Sequence, residues 1–328
     1  MSVIYHPAFQ NSDRVYPRFE DPGSLSVVIC ARNQLQDLRN CLAALACQTR
    51  KVNEIIVVDL TNEPADVAAM CQVAEVDYMR APQNNIDSAR NAGAAAAQST
   101  IVAYLDDLGL PRADWAHQLL VAFDSPDIDA VAGCVRPTRL DTFAQILFER
   151  RWSVANKPYE QDFTEADFLG SGHHAFPAWR VGSGANMAFR RSSFARYGLF
   201  DPALNGRGTQ TSAEAEYLYR ILGQGGFCRY SPDIVVWQRH ADNEAALKPL
   251  VRAKMRGHIA SLRAQAQRFP GRGNWRRILV TLPACFLRRS ISRLRWGRDQ
   301  NTWFLLTEIR GYFDGLFCSI GQKRRRLN

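Results

Sequence analysis

The chain has 328 residues, 46% of them hydrophobic and 22% charged, enough to bury a large core and too apolar for a disordered polymer. Its net charge of +9 is unevenly placed: from Ala241 onward 19 Lys and Arg face five Asp and Glu, so that segment carries +14 and the first 240 residues carry −5. An acidic body with a basic extension predicts an anionic partner for the extension, a solvated tail being the alternative.

The short apolar run Leu25–Cys30 reads as a buried parallel strand, and Leu35, Leu38, Leu42 and Leu45 then recur at helical spacing. Glu54–Asp59 is a second buried strand, Pro64–Ala74 a helix with proline in its first turn, and Val76–Met79 a short third strand. Asp87 or Ser88 is expected to cap an Ala-rich helix ending near Gln98. Ile101–Leu105 is a strand running straight into Asp106 and Asp107, followed by a helix over Asp114–Phe123 and a strand over Asp129–Gly133. Leu140–Trp179 is irregular in pattern and aromatic-rich, and is expected to form loops and short helices that shape a cleft. Order returns with Gly184–Arg190, a helix near Ser212–Leu222, and strands near Phe227–Tyr230 and Ile234–Trp237. Beyond His240 a helix runs to about Arg268, after which Gly271, Gly273 and Pro283 are expected to break the chain.

Strands alternating with helices predict an α/β fold with a mostly parallel sheet. The expected division is an N-terminal arm over 1–21, one α/β domain over 22–240, and a basic, mostly helical extension over 241–328. Ligands of such sheets bind at the carboxyl ends of strands, where Asp59, Asp106 and Asp107 fall.

The eight cysteines form no CxxC pair, which argues against a zinc ribbon or a redox motif and fits a reducing cytoplasm. The polar N-terminal stretch predicts no signal peptide. Ile278–Leu287 is too short to span a bilayer, which needs about 20 apolar residues. Arginines interleaved with apolar residues in RRILVTLPACFLRRSISRLRW, followed by KRRR, suit the surface of an anionic membrane. No nucleic-acid-binding signature supports that rival partner.

The pieces LSVVICARN, EIIVVD, SARNAG, YLDDLGLPRADW, GSGANMAFRRSSF, SAEAEYLYRIL and PDIVVWQRH occur in one order between Leu25 and His240. In that order they resemble inverting glycosyltransferase family 2, whose members adopt the GT-A fold, a single Rossmann-like nucleotide-binding domain. The resemblance implies a nucleotide-sugar donor, UDP-type favoured, contacted by Ala31, Arg32, Asn33, Asp59, Arg90 and Asp106. It implies a divalent metal held by Asp106 and Asp107, with Asp107 the favoured ligand and His240 a further one. Glu214 matches the general base, with Glu216 as runner-up. Gly184 and Asn186 match the acceptor-side loop, and Trp237 stacks on a sugar or fills the core. The chain departs from the family's pattern at Leu60, at Leu108 where a third acid is usual, and at Ala213 in the base motif. The implied activity is transfer of one sugar, with inversion, to a glycan, lipid-linked or small-molecule acceptor. It would take place in the cytoplasm, on the inner face of the membrane. The alternative is a GT-A binding or scaffold protein that has lost catalysis.

Overall fold

The computed structural model describes residues 23–32, 35–153, 157–205, 213–296 and 302–318. The expected N-terminal arm, Asn33 and the terminal KRRR lie outside the described residues. Among the described residues nine strands form one mixed sheet: β1 Leu25–Ala31, β2 Glu54–Asp59, β3 Asp77–Arg80, β4 Ile101–Asp106, β5 Gly109–Pro111, β6 Ile128–Pro137, β7 Gln161–Phe163, β8 Asn186–Arg190 and β9 Phe227–Gln238. Their order is β3-β2-β1-β4-β8-β6-β9-β5, with β7 on β9. The first four are parallel, β8 runs antiparallel to both β4 and β6, and β6 is parallel to β9.

Apolar runs without alternation become strands buried on both faces. Val28, Ile56 and Tyr104 enter one core layer, while Val27, Ile29, Val57 and Leu105 enter the other. The helices flanking the sheet are α1 Leu35–Ala46, α2 Pro64–Val73, α3 Ile86–Ala96, α4 Trp115–Val121, α5 Phe143–Trp152, α6 Glu165–Gly170, α7 Arg191–Tyr197 and α8 Ala213–Gly223. Gly93 lets α3 lie directly on β1, because a Cβ there would strike Val28 Cγ1.

The stretch expected to hold loops and short helices contains α6 and α5, the latter nucleated by a capping box in which Thr142 and Gln145 satisfy each other's backbone N–H groups. Two expectations need correction. The two strands expected around Ser231–Pro232–Asp233 are one, β9, whose register against β6 shifts between Gly133 and Cys134, so a bulge absorbs the proline. Pro283 does not end a helix. It sits in the first turn of α11 Leu282–Trp296, and a five-residue π-helical stretch over Arg277–Thr281 precedes it, relieving the ladder where the proline offers no N–H.

The extension comprises α9 Glu244–Arg268, the one-turn α10 Asn274–Arg276, α11, and α12 Thr302–Phe317. Gly271 and Gly273, both at positive φ, turn the chain between α9 and α10. The extension packs on the body: α9 contacts α5 and α8, and α12 lies along α9. Among the described residues no helix is long and apolar enough to cross a membrane.

Candidate active site

The register of the parallel strands brings the expected donor residues to one edge of the sheet. Ala31 pairs with Asp59, and Cys30 pairs with Asp106 on the other side of β1. Ala31 is buried, and its carbonyl accepts the Leu60 N–H at 2.9 Å. The Asp59 carboxylate is fully buried and accepts from Thr61 N (2.7 Å), Arg80 Nη1 (2.7 Å) and the Tyr78 hydroxyl (3.1 Å). Burial would raise its pKa, but those hydrogen bonds outweigh burial and hold it below the usual carboxylate range. Asp59 therefore stands beside the cleft with its oxygens engaged, and it does not line the cleft wall.

The two adjacent aspartates at the end of β4 part company. Asp106 faces the cleft, its Oδ1 3.4 Å from Arg32 Nη2 and its Oδ2 accepting from Gln238 Nε2 at 3.0 Å. Asp107 is 1% exposed and accepts the Arg32 backbone N–H at 2.7 Å, so it holds the β1 turn from beneath. Asp106, rather than the favoured Asp107, presents the cleft-facing carboxylate. Leu108 lines the wall where a third acid was sought.

Arg90 comes from α3, whose cap is Asn85, two or three residues earlier than expected; its side chain accepts from the N–H groups of Asp87 and Ser88. Arg90 is 5% exposed, 3.2 Å from Asp87 Oδ1, 3.6 Å from Glu214 Oε2, and 5.6 Å over the Phe200 ring. Burial alone would lower its pKa, but Asp87 and then Glu214 more than offset that, and it stays charged. Glu214 sits in the first turn of α8 and lines the cleft, and its buried Oε2 has no hydrogen-bond partner among the described residues. Gly184 makes room for this pair, since a Cβ there would lie 2.5 Å from Arg90 Nη2 and 3.2 Å from Glu214 Cδ. Glu216, two residues on and so on another face of α8, is 1% exposed and bound by Arg220 (2.8 Å) and Arg268 (3.2 Å) away from the cleft.

The remaining expected residues divide. Asn186 is fully buried in the core: Trp115 Nε1 donates to its Oδ1, and its Nδ2 donates to the Cys134 and Ile234 carbonyls at the β6–β9 bulge. Trp237 is 37% exposed with Arg136 over its ring at 5.9 Å, and it does not line the cleft. His240 does line it, with Nε2 2.9 Å from Glu149 Oε2 and its ring against Phe148. Among the described residues no group of three or more His, Cys, Asp or Glu is arranged to hold a metal. Asp106 alone fits an ion shared with a diphosphate, since Mg²⁺ commonly takes one or two carboxylates plus substrate phosphates.

The cleft encloses about 370 Å³, and its second half is built by the extension: Lys254, Met255 and His258 of α9, Arg277, and Leu282 and Phe286 of α11. Sequence reasoning missed these residues and Gln238. Leu247, Val251, Met255 and Leu262, spaced at helical intervals and buried, were the available sign that α9 packs against the body.

A family model described as "Glycosyl transferase family 2" matches residues 26–198. The succinoglycan biosynthesis protein ExoM of Rhizobium meliloti (strain 1021) is 24% identical over 260 residues, covering 75% of this chain and 77% of that one. A mannosyltransferase from Pyrobaculum calidifontis, solved with GDP-Man and Mn2+, superposes with a TM-score of 0.55 at 17% identity, covering 90% of this chain and 89% of its own. Staphylococcus aureus TarS gives a TM-score of 0.49 at 11% identity over 73% of this chain, which spans only 39% of that protein. The strand order, the Arg32–Asp106–Arg90–Glu214 cleft and a family match over more than half the sequence lead to one assignment: the chain belongs to glycosyl transferase family 2.

Proposed function

We propose that the protein transfers one sugar from a nucleotide-sugar, UDP-type favoured, to an acceptor hydroxyl by a single displacement that inverts the anomeric centre. The observation that carries this reading is Glu214 Oε2, without a hydrogen-bond partner among the described residues, in the same cleft as Asp106 and 3.6 Å from Arg90. Glu214 accepts the proton of the acceptor hydroxyl as that oxygen bonds to the anomeric carbon. The bond from that carbon to the diphosphate oxygen breaks in the same step, and its electron pair leaves on the diphosphate. Arg90 and Arg32 face the charge that develops there. The nucleotide lies over the carboxyl ends of β1 and β2, beside Ala31 and Asp59. A divalent ion, Mg²⁺ or Mn²⁺, would be held by Asp106 together with the diphosphate and would supply further neutralisation of the leaving group. The Mn2+ and GDP-Man of the Pyrobaculum enzyme support this cofactor class.

The protein works at an anionic membrane surface. Leu279, Val280, Leu287 and Ile291 are 61%, 57%, 62% and 46% exposed along the π stretch and α11, with Arg288 beside them, while Leu282 and Phe286 turn to the cleft. The acceptor is a glycan, lipid-linked or small-molecule hydroxyl compound.

Calorimetry with UDP, GDP and dTDP, with and without Mn²⁺, together with Glu214→Gln, tests the reading. One nucleotide should bind more tightly with Mn²⁺, and the variant should keep that affinity while turnover falls about 100-fold or more. Unchanged turnover in the variant would remove Glu214 from the chemistry. Absence of nucleotide binding would favour the scaffold alternative.

A further inference from the structure

The half of the cleft walled by the extension carries charges that the donor does not need. Of the acids lining the cleft, Asp106 and Glu214 belong to the donor end, and Glu308 belongs to the extension's end. Glu308 Oε2 lies 2.6 Å from Arg289 Nη1, so its charge is matched there. Lys254 and Arg277 line the same half and form no ion pair among the described residues. Arg277 stacks on Trp179, its Cζ 4.0 Å from the ring centroid, and its buried Nε has no hydrogen-bond partner among the described residues. Burial and then the neighbouring Arg180 push the Arg277 pKa down to about 10, so a half-enclosed guanidinium sits near a second cation and is paired with no acid among the described residues. Such an arrangement is unfavourable unless an anion joins it. Beside these cations the wall is apolar, formed by Met255, Leu282 and Phe286.

The geometry points to a second anion subsite, in which Arg277 and Lys254 bind a phosphate-class group of the acceptor while Met255, Leu282 and Phe286 receive an apolar portion attached to it. This deepens the transferase reading and rests on it for the word acceptor; the anion binding itself does not depend on it. Arginine stacked on tryptophan keeps its guanidinium edge free for bidentate contact with phosphate oxygens, and the lysine adds a point charge. The same helix that presents Leu287 outward presents Phe286 inward. An amphipathic acceptor resting at a membrane surface would therefore meet the cleft along α11.

The full-length protein is titrated calorimetrically with dodecyl phosphate below its micellar concentration, with dodecanol, and with inorganic phosphate. Dodecyl phosphate should bind best. Arg277→Ala and Lys254→Ala should each weaken it about 10-fold, the value of one charge-assisted contact, and Arg277→Lys should recover part of the loss. Nucleotide affinity should stay unchanged in all three variants, and thermal melting reports whether each has folded. Wild-type affinity for dodecyl phosphate in both alanine variants would overturn the subsite, as would dodecanol binding as tightly as its phosphate. Equal binding of inorganic phosphate would overturn the apolar portion and assign the subsite to a soluble anion. A wild-type protein that binds no nucleotide would defeat the transferase reading while leaving these titrations to stand by themselves.

Discussion

Arg90 does two jobs with one guanidinium. It neutralises the fully buried Asp87 inside its own helix and holds Glu214 at the cleft from 3.6 Å away. Replacing it with methionine withdraws the cation from buried carboxylates, so Arg90→Met should cost about 3 kcal/mol of stability, read as a shift in the denaturant midpoint. A midpoint within experimental error of wild type would show that the pair is not electrostatically coupled. The two glutamates of α8 should separate cleanly. Glu216→Gln weakens the contacts to Arg220 and Arg268 and is expected to lower the melting temperature while the folded enzyme keeps its turnover. Glu214→Gln is expected to do the reverse. For Asp106→Asn the expected loss is confined to the Mn²⁺-dependent part of nucleotide affinity, with metal-free binding kept. Equal loss with and without Mn²⁺ would make Asp106 a ribose contact only. Part of this was legible in the sequence because strand-end position decides it, as with Asp59 and Asp106, whereas Arg90 was legible through the SARNAG motif that opens α3. Which of two adjacent aspartates turns inward was not legible, because it depends on the Arg32 backbone N–H that captures Asp107.

At the scale of elements, the departure at Ala213 has a packing cause. Ala213 is fully buried against Ala260 and Ala264 of α9, with Leu204 beside them. An acid at this position would be buried against the extension, so Ala213→Asp should destabilise the fold by at least about 2 kcal/mol. A variant as stable as wild type would mean that α8 and α9 separate readily. The β-strands could be read from the sequence because parallel strands buried on both faces are nearly continuous apolar runs. The helix α5 could not be found by periodicity, since its buried Ala144, Gln145, Leu147 and Phe148 include a polar residue and make no clean stripe. Its Thr-x-x-Gln box was the local signal. Asn186 illustrates the opposite failure: a polar residue next to a glycine-rich loop reads as a ligand contact, yet here it satisfies two carbonyls at a bulge that only three-dimensional strand pairing creates.

Across the whole molecule, the basic extension is part of the cleft as well as a surface. Its charge was evident from composition, whereas its packing rests on α9 and α12 meeting the body, which a charge count cannot reveal. Removing the chain beyond Gln267 would therefore strip one wall of the site, and point changes test the membrane face better. Leu287→Glu with Ile291→Glu is expected to abolish sedimentation with anionic vesicles and leave nucleotide affinity intact; undiminished sedimentation would rule this face out. The interior of that wall also sets an acid limit. His258 is held neutral, its pKa lowered from 6.5 to about 3 by burial and then by Arg277. The unfolded chain thus binds the extra proton first, and stability should fall as pH drops from 6.5 towards 3. His258→Asn should flatten that slope in denaturation series at pH 7 and pH 5; an unaltered slope would assign the acid limit to other groups.

A structure of the protein with an intact nucleotide-sugar analogue and Mn²⁺ tests the central claim most directly. The account requires the diphosphate between Asp106 and Arg90, with the anomeric carbon open to attack from the side of Glu214. A diphosphate bound elsewhere, or a sugar whose attackable face is turned from Glu214, would contradict it.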